Sequence, residues 1–371
     1  MLPDKETCCG CSACYNACKF NAIKKMKDKY GFIYFKRDMK KCVNCLACER
    51  VCPILKKQEE KNIPVKYYAG FVNSELETSA SGGIASALNR YFINNNCYIC
   101  GVVYNDDFKS AKYIITNKIE DMEKIKSSKY IQIDKEDTFK KVQKLLINNK
   151  KVLFIGLPCD VAGLKSFLVK DFKNLYTVSL ICMGPTSQII QEKFIDNIES
   201  KKSSDVTEFN VRSKKRGWGA PNHIYYKLKN GKDEVMPFNQ NAFGRSFEII
   251  YKDSCTYCKF KLKNSKSDMI IGDYWGVQEN DEIYNKKGVS TLIFNNEKLF
   301  NIIKTIKNIE LKEITYDEAI KKNEMLIKSR KKNQYRDKFM KEIDKKGLQK
   351  AYKKYDSYLS KIERKILKKY F

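Results

Sequence analysis

Cys8-Cys9-Gly10-Cys11-Ser12-Ala13-Cys14-Tyr15-Asn16-Ala17-Cys18 and Cys42-Val43-Asn44-Cys45-Leu46-Ala47-Cys48-Glu49-Arg50-Val51-Cys52-Pro53 decide how this chain begins to fold. Each run spaces its cysteines by two, two and three intervening residues, and the second repeats the first 34 residues later. Such a repeat reads as two similar units built face to face. Zinc takes its four ligands as two pairs, which a three-plus-one run does not supply. The chain has fifteen cysteines and a single histidine, His223, so zinc-enzyme ligand sets and Ser-His-Asp triads are close to excluded. The opening residues, Met1-Leu2-Pro3-Asp4-Lys5, form no apolar signal segment, and the protein reads as soluble and cytoplasmic. In that compartment thiols stay reduced, so the cysteines should bind metal or do redox work.

The two runs resemble the ligand pattern of bacterial two-cluster ferredoxins, in which the fourth cysteine of each run serves the other cluster. That resemblance implies one 4Fe-4S cluster on Cys8, Cys11, Cys14 and Cys52 and a second on Cys42, Cys45, Cys48 and Cys18. The first run has Lys19 where proline is usual, and Cys9 has no assigned role.

Hydrophobic residues make up 43% of the 371 and aromatics 12%, which rules out a disordered chain. The formal net charge is +28, with 19 Lys and Arg against 6 Asp and Glu in residues 321–371. Such a balance raises nucleic acid or an anionic membrane face as partners. No aromatic-basic recognition motif accompanies it, so nucleic acid is not expected. The basic tail reads as a solvated amphipathic layer, with docking to an acidic electron partner or peripheral contact with an anionic membrane as the sharper option. No transmembrane segment is expected.

The fold class expected is an α+β ferredoxin-like dicluster module joined to an α/β domain with a mainly parallel core sheet, followed by a helical basic C-terminal segment. The module takes residues 1–60, with a short aromatic strand at Tyr30-Gly31-Phe32-Ile33-Tyr34-Phe35 and a charged linker from Lys56 to Pro64. The α/β domain takes 65–300, with N- and C-terminal parts split near 175–185. Its grammar shows in the strand-like 67–72, 98–104, 151–156 and 175–182 alternating with helix-like 84–93, 138–147, 161–168 and 188–198. The segment 301–371 is expected to be helical, with Phe339, Ile343, Leu348, Tyr352, Tyr355 and Leu359 docking on the core.

Four further cysteines form a looser set. Cys159 lies where a strand meets a helix, Cys182 ends the next strand, and Cys255-x2-Cys258 follows downstream. In an α/β sheet the carboxyl ends of neighbouring strands share one crevice, so Cys159 and Cys182 can face the same point. Spacing alone leaves three readings open: iron-sulfur, zinc or unconnected buried thiols. The Gly pair in Ser79-Ala80-Ser81-Gly82-Gly83 precedes a helix, which suits either an ordinary helix entry or a phosphate held by backbone N–H groups. Cys97-x2-Cys100 reads as buried thiols in a strand, and His223 as a loop histidine.

Seven segments, taken together, are similar to the family of coenzyme F-420 hydrogenase/dehydrogenase beta subunits, in its branch with an N-terminal two-cluster ferredoxin domain. They are Ser79–Gly83, Ser128–Gln132, Gly156–Leu164, Cys182–Pro185, Arg216–Gly219, Cys255-x2-Cys258 and Ile271–Gly276. The resemblance implies an iron-sulfur flavoprotein oxidoreductase that passes electrons between clusters, FAD and a two-electron acceptor. That acceptor is either coenzyme F-420-like or another small or sugar-linked substrate, and a redox partner protein is implied beside it. It further implies a third 4Fe-4S cluster on Cys159, Cys182, Cys255 and Cys258, FAD phosphates at Ser79, Ser81, Gly82 and Gly83, and Lys129 beside the flavin, where a cation stabilises the reduced ring. Leu157, Asp160 and Met183 stand where Thr, Gln and His are usual, which leaves the substrate open. The alternative is a ferredoxin-type electron-transfer subunit without flavin.

Overall fold

The structure is a computed structural model that describes residues 1–56, 63–219 and 222–356. Most of the expected linker, together with Leu359, falls outside the described residues.

The N-terminal unit contains α1 (Ala13–Ala17), β1 (Ile23–Lys27), β2 (Ile33–Arg37) and α2 (Ala47–Arg50). β1 and β2 pair antiparallel, with Lys25 opposite Phe35. The repeat is visible in the backbone: Ser12 (φ 68°) and Leu46 (φ 57°), 34 residues apart, are the left-handed N-caps of α1 and α2. A left-handed leucine is a strained choice, tolerated here because the turn must present successive thiols inward.

The large unit opens with β3 (Lys66–Val72), α3 (Ile84–Asn94), β4 (Tyr98–Tyr104), β5 (Ala111–Thr116), α4 (Met122–Ile125), α5 (Thr138–Ile147), β6 (Val152–Gly156), α6 (Pro158–Leu168) and β7 (Leu175–Leu180). An excursion follows through α7 (Gln188–Lys202), β8 (Val206–Ser213), β9 (His223–Leu228), β10 (Asp233–Pro237) and α8 (Ala242–Ile249). The chain then returns as β11 (Met269–Asp273), β12 (Ser290–Phe294), α9 (Glu297–Ile303), β13 (Ile309–Glu313), α10 (Tyr316–Ile320) and α11 (Arg336–Lys346).

Eight strands form one sheet in the order β13-β3-β12-β11-β7-β6-β4-β5. Its centre, β11-β7-β6-β4, is parallel, and both margins are antiparallel, so the sheet is mixed about a parallel core. The parallel centre is buried on both faces, which explains its near-continuous apolar runs. Leu153, Val178, Ile271 and Leu292 point to the face covered by α3 and α9. Val152 and Phe154 point the other way, against Phe139, Val142 and Leu146 of α5 and Val161 and Leu164 of α6. The same two-residue period separates Cys97 from Cys100: they are buried on opposite faces and do not form a pair.

β8, β9 and β10 make a separate antiparallel sheet. His223 is the first residue of β9, paired with Pro237, and not a loop residue. Among the described residues its Nδ1 is buried without a hydrogen-bond partner, and burial holds its pKa down. The last segment is not purely helical, because β13 adds an edge strand to the main sheet beside β3. Beyond it, Phe339, Ile343 and Leu348 are buried in one cluster with Phe209, Ile224 and Phe243, and Tyr352 and Tyr355 pack against that cluster. Apolar burial thus ties this segment to the second sheet, at about 1.5–3 kcal/mol for each large side chain fully removed from water.

The N-terminal unit is seated firmly on the large one. Ile33 N donates to Gln132 Oε1 (2.7 Å), Lys252 Nζ donates to Ile33 O (2.8 Å), and Asn16 Nδ2 donates to Glu136 O (2.7 Å). Cys11, Ala13 and Val51 share a core cluster with α5 and α6.

Candidate functional site

Strand direction gathers the site. β6, β7 and β11 run parallel, so Gly156, Leu180 and Asp273 end on one edge of the sheet. β3 is antiparallel to β12, which is antiparallel to β11, so β3 ends on that edge too. The segments after these strands carry Ser79–Gly83, Cys159, Cys182 and Trp275, and ligands of open α/β sheets bind at such carboxyl edges.

Cys159, Cys182, Cys255 and Cys258 line one cleft of about 560 Å³, together with Leu157, Phe260, Lys261, Met325 and Leu326. Cys159 sits in the first turn of α6, which Pro158 opens with its preset φ. The loop after β7 turns at Gly184 (φ +100°), where a Cβ would lie 3.1 Å from Cys255 Sγ, so this glycine lets the two loops close. Gly184 N donates to Cys182 Sγ (3.2 Å). Among the described residues no carboxylate or imidazole lines the cleft, while Lys261 Nζ stands against Cys182 O at 3.2 Å. Burial pushes the thiol of Cys182 up to about 11 and raises those of Cys159 and Cys255. Neutral thiols of this kind give up their protons only to a bound metal.

A second cavity, about 310 Å³, is lined by Cys8, Cys9, Cys11, Cys14, Cys52, Phe35 and Ile54. It holds the expected first quartet, with Cys9 added. Cys18 packs with Cys48 and Cys14 around Ile23 and Phe35, and Ala22 N donates to Cys18 Sγ (3.3 Å). Arg37 donates to Asn44 Oδ1 (3.3 Å) and pairs with Glu49, while Cys45 is exposed. The first quartet thus faces inward and the second outward. At Gly163, one turn beyond Cys159 on α6, an added Cβ would stand 2.9 Å from Cys11 Sγ, so that helix joins the two cysteine-lined cavities. Among the described residues, no three His, Cys, Asp or Glu side chains meet closely enough for a single ion.

Beside these lies a polar group that the sequence pattern does not assemble. Gly82 N donates to Ser290 Oγ (3.0 Å), Ser81 Oγ to Val289 O (3.0 Å), and Ser79 and Ser86 share a hydroxyl contact of 2.8 Å. Gly83, at φ +80°, is the N-cap of α3. Lys214 Nζ donates to Ser81 O (2.6 Å) and Leu76 O (2.8 Å), and Arg212 makes a two-pronged bond to Asp273 (2.9 and 3.0 Å). Trp218 Nε1 donates to the same carboxylate (2.8 Å) and stacks on Trp275 with ring centroids 5.5 Å apart, and both tryptophans are half-buried at this edge. Burial opposes the charge on Arg212, but Asp273 and Tyr130 outweigh it and hold the guanidinium above its usual value. Burial brings Lys214 down to about 8 against the pull of Asp273.

Lys129 is not a free surface cation. Its ammonium donates to the carbonyls of Lys124, Ile125, Lys126 and Ser127, closing the end of α4, while Tyr130 next to it accepts from Arg212 (3.0 Å). Arg212, Lys214 and Asp273 belong to this polar group, and sequence reasoning does not single them out. A charged residue directly after the buried Val211 in β8 is the available signal.

Two folded units, one built on a doubled cysteine run, define an iron-sulfur protein of electron transfer. Residues 7–54 match the model of the 4Fe-4S dicluster domain, and residues 149–319 match that of the C-terminal part of the coenzyme F420 hydrogenase/dehydrogenase beta subunit. The chain thus carries a domain matching the C-terminal part of these beta subunits behind an N-terminal dicluster domain. It is 23% identical over 346 residues to a coenzyme F420-dependent sulfite reductase of Methanocaldococcus jannaschii, covering 89% of this chain and 50% of that protein. It is 20% identical over 217 residues to the F subunit of the F420H2 dehydrogenase of Methanosarcina mazei, covering 55% of this chain and 61% of that one. The chain therefore spans about half to three fifths of these relatives. A chain of the F420-reducing NiFe hydrogenase complex from Methanosarcina barkeri shares the fold, with a TM-score of 0.50, 17% identity, and 74% of this chain and 91% of that one covered. Among the described residues no helix is long and apolar enough to cross a membrane.

Proposed function

We propose that this protein is an iron-sulfur flavoprotein oxidoreductase that passes electrons between three 4Fe-4S clusters and FAD, to or from a two-electron acceptor of the coenzyme F420 type or another small or sugar-linked molecule. One observation carries the reading: a four-thiol cleft and a cluster of Arg212, Lys214 and two stacked tryptophans share one sheet edge, and α6 links that cleft to the inward-facing quartet of the dicluster unit. Cubane clusters move single electrons and a flavin holds two, so the pair couples one-electron supply to hydride-type chemistry. Cys159, Cys182, Cys255 and Cys258 hold the third cluster, with Lys261 offsetting its negative charge. Four thiols ring one cleft and, among the described residues, no three of them meet closely enough for a single ion, which favours a cube over zinc. Ser79, Ser81, Gly82 and Gly83 seat the FAD phosphates at the start of α3, with Lys214 and Arg212 supplying positive charge. Lys129 serves this site by fixing the turn that presents Tyr130 to Arg212. The outward quartet, with Cys45 exposed, is the place for a partner protein to exchange electrons.

Anaerobically purified protein should contain about twelve irons, matching sulfide and one FAD per chain, with visible absorbance bleached by dithionite. About eight irons and no flavin would leave a ferredoxin-type electron carrier instead. The pH dependence of FAD binding tests Lys214. Its charge is complete below about pH 7 and wanes above about 8, so FAD affinity should be flat on the acid side and fall by up to about tenfold per pH unit above it. Lys214→Met should weaken binding at least tenfold and remove that slope, as read by fluorescence titration.

A further inference from the structure

Between the two inward cysteine sites lies an ion pair that neither site needs as a ligand. Lys135 Nζ stands 2.7 Å from Asp160 Oδ1, and both side chains are 3% exposed. The pair is oriented. Lys135 Nζ also donates to Gly10 O (3.4 Å), in the loop between Cys9 and Cys11. At the other end, the Cys159 thiol points at Asp160 Oδ1 (3.9 Å), and Tyr113 OH donates to Asp160 Oδ2 (2.8 Å). The positive pole therefore faces the Cys8–Cys52 cavity, and the negative pole faces the Cys159 cleft.

Burying two opposite charges adds little stability, because their lost hydration offsets most of their attraction and apolar residues would serve as well. What such a pair adds is a directional field, in a place where salt does not screen it. An electron arriving near the ammonium is stabilised, and one arriving near the carboxylate is opposed.

We propose that the buried Lys135–Asp160 pair sets the potential gap between the two neighbouring clusters, raising the one held by Cys8, Cys11, Cys14 and Cys52 and lowering the one held by Cys159, Cys182, Cys255 and Cys258. The inference rests on the three-cluster reading. Lys135 and Asp160 are positioning residues, acting through the clusters and not on substrate. The pair thereby biases an electron toward the dicluster unit relative to the sheet edge, in whichever direction the acceptor draws it.

The test is an EPR-monitored redox titration of the full chain, loaded anaerobically, with Cys258→Ser identifying which signal belongs to the third cluster. In Asp160→Asn the third cluster should rise by about 59 mV, a tenfold change for a one-electron couple. In Lys135→Gln the inner dicluster site should fall by a similar amount. The outer cluster of Cys18, Cys42, Cys45 and Cys48 should stay unmoved in both and serves as internal reference. Should either single variant lose iron because one charge is left buried alone, the neutral pair Lys135→Gln with Asp160→Asn replaces it and should narrow the gap. Midpoints that stay at their wild-type values, or that all shift together, in variants holding about twelve irons would overturn the proposal. About eight irons in the wild-type protein would overturn the three-cluster reading, and this inference with it.

Discussion

Cys258→Ser should strip about four of twelve irons from the protein and leave the other eight in place. Cys258 follows a short turn at Asp253–Tyr257, and its backbone N donates to Ser329 Oγ (3.1 Å), so the residue is held at the cleft by its own main chain. A serine hydroxyl would occupy the same position, but it is a harder donor that loses its proton far less readily than a thiol, so iron is not retained. The dicluster quartets lie on a different unit and draw on no residue of this loop, and their signals should persist at full intensity. Iron and sulfide analysis with EPR of the dithionite-reduced protein makes the measurement. An iron content equal to that of the wild type would remove Cys258 from the ligand set.

The largest stability effect is expected from Arg212→Met. Arg212 and Asp273 are 7% and 11% exposed at their side chains, and the substitution leaves Asp273 charged and buried, with Trp218 as its remaining side-chain partner. Removing one member of a buried pair costs about 3–5 kcal/mol. For a chain of this size the melting temperature should drop on the order of 10 °C. Flavin should be lost as well, because Arg212 also bonds Tyr130 OH and reaches Ala80 O (3.4 Å) in the Ser79–Gly83 loop proposed to seat the FAD phosphates. A second variant separates the two effects. Arg212→Met with Asp273→Leu removes the stranded charge and should recover most of the melting temperature, yet FAD should remain absent. Flavin retained in the single variant would place the cofactor elsewhere.

How far the site is legible in the sequence depends on how local its determinants are. The eight dicluster cysteines announce themselves because their ligand loops are a few residues long, and the left-handed turns at Ser12 and Leu46 reproduce the sequence repeat in space. The third quartet is readable in part: the carboxyl-edge rule pairs Cys159 with Cys182, but the Cys255–Cys258 hook arrives after an excursion through a whole second sheet. Lys129 stands out in the sequence, yet its ring of carbonyl acceptors comes from the preceding turn, which no spacing rule foretells. The strand Ile309–Glu313 lies in a charged segment expected to be helical, yet Ile309 and Leu311 alternate there with Glu310 and Lys312 at the strand period, and pairing with β3 fixes its conformation.

By itself the sequence determined the doubled thiolate loop, the α/β alternation and the chemistry available, since spacing within a loop, strand period and residue type are all properties of short segments. Tertiary structure alone decided that Arg212 meets Asp273, that Gly163 touches the loop of Cys11, and that Lys135 lies buried against Asp160. These partners are far apart along the chain. They meet because the sheet's strand order and the docking of the N-terminal unit place them together, and those follow from burying apolar faces cooperatively, a sum over the whole chain that no local stretch contains.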